Sequence, residues 1–537
     1  MPPIPLHPAR LADAPPLSRV LLHALLAASI LSTVVFVANW RYGYNMGDEG
    51  WGWHLAQLVL EGTLPLRDHF SYDPGRYLWA AAWFAGVGDD GIFWWRLVGA
   101  VFGALGLACA CASMHLARLP LAARILVALL LAMALAYPRH KVYEQALSLI
   151  GTAGLFVALL RAKPGNWFWL GLLSGLAAIL GRNSGLYFCI AAAAGLALHG
   201  HRRGMRAVWQ GGLAFCSGVI VGYLPMLVWF VRDRAFAEAM IASVRFTSDW
   251  QIPLPIPFPW RVRQTLSSLA DAQSVATSWL SLATFAVYAF GVAELFRHRH
   301  RYLAAEPAAL LRAAALFVGI PYLHQGFYRA DFGHIAQGIL PAFVYLATWL
   351  RGGGRPRLAW SAAAVWALLC ICAWLPNLPR VSAWNANRLA PGSMIERELG
   401  GSRLVVDATQ ARLVAQFAQA MRECAVAREQ ALAMPYYPGM LPLVGRTSPL
   451  WDLYFLYPRD ASFQRRQIER LQAAGVKVVL VHTEAAIDQR QELRIGSTNP
   501  LLLGYIQDHF QWHSTLVDGG RLYVRDCPAQ GGDAAPR

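Results

Sequence analysis

Long apolar segments alternate with short polar ones along the first 376 residues of the chain. An apolar segment of about 20 residues is long enough to cross the hydrocarbon core of a bilayer as a helix. The pattern predicts about eleven such spans, near residues 20–40, 92–117, 120–137, 145–160, 167–181, 185–198, 211–231, 275–296, 308–323, 335–350 and 358–375. The predicted fold class is therefore a polytopic α-helical membrane protein.

The pattern changes after residue 376, where short β-branched runs alternate with segments of helical spacing. Residues 404–407 and 476–481 read as strands, residues 412–421 and 463–474 as helices, and residues 512–523 as a hairpin turning at Asp518-Gly519-Gly520. The sequence thus predicts two domains, a transmembrane region at 1–376 and a small soluble α/β domain at 377–537.

Charge predicts the orientation of the spans. The composition is 56% hydrophobic, and the net charge is +16. Alternate loops carry basic residues with almost no acids, as at Arg202, Arg203 and Arg206, whereas the intervening loops mix both signs. Because Lys and Arg accumulate in cytoplasmic loops, we expect a cytoplasmic N-terminus, an extracytoplasmic C-terminal domain and a location in the cytoplasmic (inner) membrane. Topology explains most of the positive charge, so the charge does not indicate nucleic-acid binding.

An acidic pair, Asp48 and Glu49, lies in the first predicted outer loop between Gly47 and Gly50. Charge close to lipid is costly, so acids beside a span are candidate functional groups. The neighbouring charge raises the pKa of one carboxyl and improves it as a base, and the glycines permit a tight turn. Asp48 is the predicted catalytic base; the alternative is a solvated loop acid.

Three further outer loops carry basic residues suited to phosphate. Arg and Lys bind phosphate by a bidentate fork and as a point charge, respectively. Each loop also has a structural alternative: interfacial anchoring for the first, snorkelling for Arg182, and an ion pair between Arg329 and Asp331 for the last. The candidates are Arg139, Lys141, Arg182 and Arg329 for donor phosphate, with Glu144, Asp331 and His334 supporting or contacting an acceptor.

Two other features have open interpretations. Proline at alternate positions from Pro253 to Pro259 requires an extended segment, either a lid over a cleft or a stiff connector. Cys424 and Cys527 are the only cysteines outside apolar runs. They would form a disulfide in an oxidising compartment, or remain two unrelated thiols.

The first outer loop resembles the opening of a known enzyme family. The residues Gly47-Asp48-Glu49-Gly50-Trp51, then Leu60-Glu61-Gly62, Leu64-Pro65, Asp68 and Pro74, are similar to GT-C membrane glycosyltransferases of the protein-mannosyltransferase and aminoarabinose-transferase type, as is the run from Gly171 to Ala177 followed by Arg182. The resemblance implies Asp48 as general base, a polyprenyl-phosphate sugar donor, and an outer domain that helps to cover the acceptor. Glu144 departs from the family, in which an Asp is common.

The predicted function is transfer of a sugar from a polyprenyl-phosphate donor to a cell-envelope lipid, glycan or protein, with inversion. The partners would be this donor, the membrane lipid and the acceptor, without nucleic acid. The residues require no cofactor, and they leave open a divalent cation. The alternatives are a flippase or transporter of lipid-linked sugar and an enzyme like the O-antigen ligases or polymerases. Ionisable residues gather in the outer loops, which argues against a transporter, whose polar groups often lie at mid-span.

Overall fold

The computed structural model describes residues 16–249, 252–351 and 356–527. These residues form two compact units. The helical unit comprises the residues up to Trp40, Arg96–Ile241 and Thr247–Ser382; the mixed unit comprises Arg41–Trp95, Ala242–Phe246 and the residues from Ala383. Residues 528–537 of the predicted C-terminal domain lie outside the described residues.

The helical unit is built almost entirely of α-helices. Every predicted span falls on helix. The α-helices are Leu17–Asn39, Ile92–Leu116, Leu121–Leu135, Val142–Arg161, Pro164–Leu180, Arg182–Arg203, Met205–Arg232, Arg234–Asp249, Leu269–Arg297, Arg299–Leu303, Pro307–Phe327, Phe332–Gly338, Leu340–Ala347, Pro356–Trp374 and Pro379–Leu389. Short 3-10 turns lie at Arg139–Lys141, Pro259–Arg261, Thr348–Arg351 and Leu375–Asn377.

Seven helices among the described residues are long and apolar enough to cross a membrane. They agree with the membrane class, although they are fewer than the predicted spans. The segment predicted at 335–350 is not one membrane-length helix: it breaks at Ile339 into helices of 7 and 8 residues. Pro341, which follows the break, lacks an amide hydrogen and is favoured in the first turn of a helix, so a new helix begins there.

Glycines let two helices of this unit approach closely. Gly171 and Gly175 on Pro164–Leu180 face Gly218 and Gly222 on Met205–Arg232. A Cβ at Gly171 would overlap the carbonyl oxygen of Phe215, and one at Gly218 that of Phe168. Small residues four apart are a common means of packing helices in membranes.

A buried ion pair joins two helices of this unit near the ends of two predicted spans. Glu294, on Leu269–Arg297, pairs with Arg312, on Pro307–Phe327. Tyr345 donates to the same carboxylate (2.9 Å), and Arg312 Nε donates to Thr348 Oγ1 (2.8 Å). Both charges are close to the ends of their predicted spans, and the pair is satisfied by hydrogen bonds, as charges buried near lipid require.

The mixed unit contains a parallel pair of strands extended by a hairpin. The strands of the chain are β1 (Met394–Leu399), β2 (Ser402–Asp407), β3 (Ala431–Met434), β4 (Val478–Val481), β5 (Gln511–Thr515) and β6 (Arg521–Val524). The larger sheet has the order β3-β4-β6-β5, with β3 and β4 parallel. The α-helices are Asp48–Leu60, Gly75–Val87, Ala408–Glu423, Met440–Leu443, Ala461–Ala473, Ile495–Thr498 and Pro500–His509, with 3-10 turns at Ile487–Gln489 and Gln491–Leu493.

The predicted boundary at 376/377 does not match these units, because residues 41–95 fold with the C-terminal part. β1 and β2 form a hairpin whose turn residues, Gly400 and Gly401, both have positive φ. Tyr42 forms a β-bridge with Val405 of β2, and the amide of Ile92 donates to the carbonyl of Gly400 (3.0 Å). The first loop is therefore an integral part of the mixed unit.

Candidate functional site

Asp48 opens the helix Asp48–Leu60 of the mixed unit, and its side chain is half-buried. The neighbouring Glu49 is only 2% exposed, and its Oε2 accepts a hydrogen bond from the amide of Asn45 (3.1 Å). The two carboxylates therefore differ in setting. Glu49 holds the turn that precedes the helix, whereas Asp48 is the more accessible of the pair.

The glycines beside the acidic pair flank a turn at residues 46–47 and also permit close packing. Neither has a positive φ, which is −74° at Gly47. A Cβ on Gly50 would overlap the Cα of Gly439, and one on Gly47 would lie 2.7 Å from the hydroxyl of Tyr454. The loop thus fits closely against another segment of the same unit.

An aromatic cluster lies beside Asp48. The Trp51 ring is 4.9 Å from that of Tyr72, 5.5 Å from that of Tyr454 and 5.6 Å from that of Phe70. Burial raises the pKa of Tyr72, and the negative charge of Asp48 is one of the groups that raise it further. The carboxylate is therefore close enough to this cluster to interact with it electrostatically. Trp51, Phe70 and Tyr454 are all buried, so the cluster is a packed core on which the Asp48 loop rests.

In the helical unit, Asp331 accepts hydrogen bonds from two of the predicted site residues, Arg329 and His334. Its Oδ2 accepts hydrogen bonds from Arg329 Nε (3.1 Å) and from His334 Nδ1 (2.8 Å), and its Oδ1 caps the amide of His334 (3.1 Å). Arg329 also donates to the carbonyl of Ile252, beside the bridge between Leu254 and Arg329. The proline-rich segment is thus attached to this loop.

The electrostatics of this cluster favour an ionised carboxylate and a neutral imidazole. Burial alone would raise the pKa of Asp331, but the hydrogen bonds from His334, with the charge of Arg329, lower it to about 2. Burial lowers the pKa of His334 despite its bond to Asp331, and the charges of Lys141 and Arg329 act in the same direction. With Nδ1–H directed at Asp331, Nε2 is the ring atom that can accept a proton.

The structure brings the second and fifth predicted outer loops together. The rings of Tyr137 and Phe332 stack at 6.1 Å, and Lys141 is near enough to His334 to influence its pKa. Arg139 donates to the carbonyl of Asn39 at the end of the first helix, so it also supports the fold. Glu144 is buried in the first turn of Val142–Arg161.

The third loop joins the same group of loops. Arg182 begins the helix Arg182–Arg203 and is half-buried. Next to it, Asn183 donates to Gln325 (3.3 Å), and the hydroxyl of Tyr187 is 2.7 Å from His324 Nδ1. Sequence reasoning did not single out Tyr187, which falls in a predicted span, or His324 and Gln325, which open the fifth predicted outer loop, because nothing in their local pattern shows that they meet.

Among the described residues, no group of three or more His, Cys, Asp or Glu side chains is arranged to hold a metal ion. No protein-family model and no curated protein matches this chain. Its function therefore has to be inferred from its own residues.

Proposed function

We propose that this protein is an inner-membrane glycosyltransferase of the GT-C type that uses a polyprenyl-phosphate sugar. The observation that carries the proposal is the contrast within the acidic pair: Glu49 is buried and bonded to its own loop, while Asp48 is half-buried beside an aromatic cluster. An accessible carboxylate of this kind is suited to remove the proton from an acceptor hydroxyl as that hydroxyl attacks the anomeric carbon.

The converging loops of the helical unit support the same proposal from the donor side. Lys141, Arg182 and Arg329 supply positive charge, and Asp331 orients Arg329 through a hydrogen bond to its Nε. Groups of this kind stabilise the phosphate that leaves as the glycosidic bond breaks. In the proposed topology, these loops and the mixed unit are extracytoplasmic.

A transporter of lipid-linked sugar is the second candidate, because one span is broken. Discontinuous helices often line the substrate site of transporters. Here the break at Ile339 follows Gln337, a fully buried side chain that accepts a hydrogen bond from Gln325 (3.1 Å). A transporter moves the labelled donor between leaflets without forming a new glycosidic bond, which gives a direct test.

We expect Asp48→Asn to reduce sugar transfer by about 10²–10⁴-fold, since the amide keeps the shape of the side chain but cannot accept the proton. The assay uses full-length protein in vesicles with radiolabelled polyprenyl-phosphate sugar and a cell-envelope lipid extract, and it measures label in the acceptor fraction. The control is Asp508→Asn, which removes an exposed charge elsewhere in the mixed unit.

Both variants must insert and melt like the wild type for the comparison to hold. Normal transfer by Asp48→Asn would refute the base assignment. Movement of the labelled donor between leaflets, with no label in any acceptor, would favour the transporter instead.

A further inference from the structure

A cavity of about 470 Å³ lies in the mixed unit, away from the Asp48 loop. It is bounded by β1, by the helix Ala408–Glu423 and by the segment from Leu443 to Arg446. Its volume is within the range of roughly 300–1,000 Å³ that is usual for sites binding small molecules. Nothing in the proposed transfer reaction requires it.

The floor of this cavity is aliphatic. It is formed by one face of the helix Ala408–Glu423 and by the short helix after β3, through side chains that include Val414, Ala415, Ala418, Met421 and Leu443. None of the described residues that line the cavity is aromatic, in contrast to the surroundings of Asp48. The floor is therefore suited to a flexible hydrocarbon chain and not to stacking against a sugar ring.

The polar part of the lining is mostly cationic, with three arginines and one carboxylate, Glu398. Among the described residues, none of Arg397, Arg422 and Arg446 is within ion-pair distance of a carboxylate. An arginine fork matches a phosphate or carboxylate group by paired hydrogen bonds. The charge of the lining is thus complementary to an anion.

Arg446 provides the most specific observation. Its Nη1 donates to the carbonyl of Gly445 (3.0 Å), but its Nε is buried and has no hydrogen-bond partner. Buried donors in folded proteins are nearly always bonded, so an atom of this kind marks a place where a partner is expected. Arg446 is also one of the lining residues, so an anion held in the cavity is a candidate partner for this side chain.

We infer that this cavity binds an anionic lipid. Arg446 holds the phosphate of the headgroup together with Arg397 and Arg422, and part of an acyl or prenyl chain lies along the aliphatic floor. The site is independent of the glycosyl transfer proposed above.

Photo-crosslinking tests this inference on the full-length protein in phosphatidylcholine nanodiscs. The probe is phosphatidic acid with a diazirine in its acyl chain, and the crosslinked peptides are identified by mass spectrometry. We expect label on the peptide that contains Ala415 and Ala418. Excess unlabelled phosphatidic acid should displace the probe, whereas equal concentrations of inorganic phosphate or phosphatidylcholine should not.

Variants separate the charged part of the site from the apolar part. Arg446→Ala should reduce labelling about tenfold, because a charge-assisted hydrogen bond is lost. The labelling of Arg446→Lys should lie between that of the wild type and that of Arg446→Ala, since lysine keeps the charge but cannot make the paired hydrogen bonds of a guanidinium. Ala418→Leu should block the floor. Arg412→Ala, on the same helix but outside the lining, is the matched control and should label normally.

Three results would overturn the inference. Normal labelling of both Arg446 variants would show that Arg446 does not bind the headgroup. Equal displacement by phosphatidylcholine would show partition into the bilayer only, and displacement by inorganic phosphate alone would show a simple anion site. Melting temperatures of the variants establish that each compared protein is folded.

Discussion

His54 is a buried histidine that makes the stability of the mixed unit depend on pH. It is 2% exposed, and its ring contacts the carbonyl of Pro438 (3.2 Å) and Oγ1 of Thr447 (3.0 Å). Burial, together with the charges of His69 and Arg428, lowers its pKa from 6.5 to about 3, although the bond to Pro438 acts in the opposite direction. The folded state therefore keeps the ring neutral at pH values where the unfolded chain would protonate it.

This setting predicts a loss of stability in mild acid. The contribution of His54 is complete above the unfolded pKa of 6.5 and declines as the pH falls toward 3. At pH 5 the loss is about 2 kcal/mol. The shift in melting temperature between pH 7 and pH 5 should be smaller in His54→Gln than in the wild type. The exposed His509→Gln should keep the wild-type shift, and an unchanged shift in His54→Gln would contradict the assignment.

Arg459 forms the best-enclosed ion pair of the mixed unit. Its guanidinium makes two hydrogen bonds of 2.7 Å to Asp452, whose side chain is 1% exposed, and it lies 4.3 Å from the ring of Phe246. Removing one partner of a buried pair leaves the other charge without compensation, at a cost of about 3–5 kcal/mol.

We expect Arg459→Met to lower the unfolding free energy by that amount, and Arg459→Met with Asp452→Leu to recover part of it. Arg466→Met, at an exposed arginine of the next helix, is the control and should cost little. Chemical denaturation gives the values. A double variant no more stable than the single one would mean that the pair stabilises the fold by itself.

At the scale of elements, the glycine contact between Pro164–Leu180 and Met205–Arg232 gives a matched comparison on one helix. Gly218→Ala would drive a methyl group into the carbonyl of Phe168, whereas a Cβ at Gly212 meets open space. We expect Gly218→Ala to destabilise the protein by about 1–3 kcal/mol and Gly212→Ala to be neutral or slightly stabilising. Thermal unfolding in detergent measures both, and equal melting temperatures would show that these helices can move apart without cost.

Elements governed by local pattern were predictable from the sequence, and those governed by distant partners were not. Hydropathy predicted where the apolar helices lie, and β-branched runs predicted β2 and β4. Each of these patterns is contained in one short stretch of sequence. The break at Ile339 was missed, since an apolar window does not reveal where a helix is interrupted. The role of Glu49 was also hidden, because it depends on which backbone groups lie close in space, whereas the ion pair of Arg329 with Asp331 was one of the alternatives that the sequence offered.

At the scale of the whole molecule, the predicted boundary at residue 376 failed for the same reason. Composition changes there, but the pairing of Tyr42 with Val405 and the contact of Gly50 with Gly439 join segments more than 350 residues apart. Hydropathy separates membrane-spanning from polar sequence, but it does not show which polar segments fold together.

The disulfide links the topology of the chain to the stability of the mixed unit. Cys424 and Cys527 are joined, with Cα atoms 4.7 Å apart and a sequence separation of 103. A bond closing a loop of this length should stabilise the unit by about 2–5 kcal/mol, which Cys424→Ser with Cys527→Ser would remove. Disulfides persist in oxidising compartments, so the bond agrees with the extracytoplasmic C-terminus that charge asymmetry predicts. Thiol labelling of unreduced, denatured protein should leave both cysteines unmodified, with Cys216, an exposed free thiol, as the positive control.

A reporter enzyme that works only outside the cytoplasm, fused after Arg537, should be active. Free labelling of both cysteines together with an inactive reporter would place this part of the chain in the cytoplasm and refute the topology.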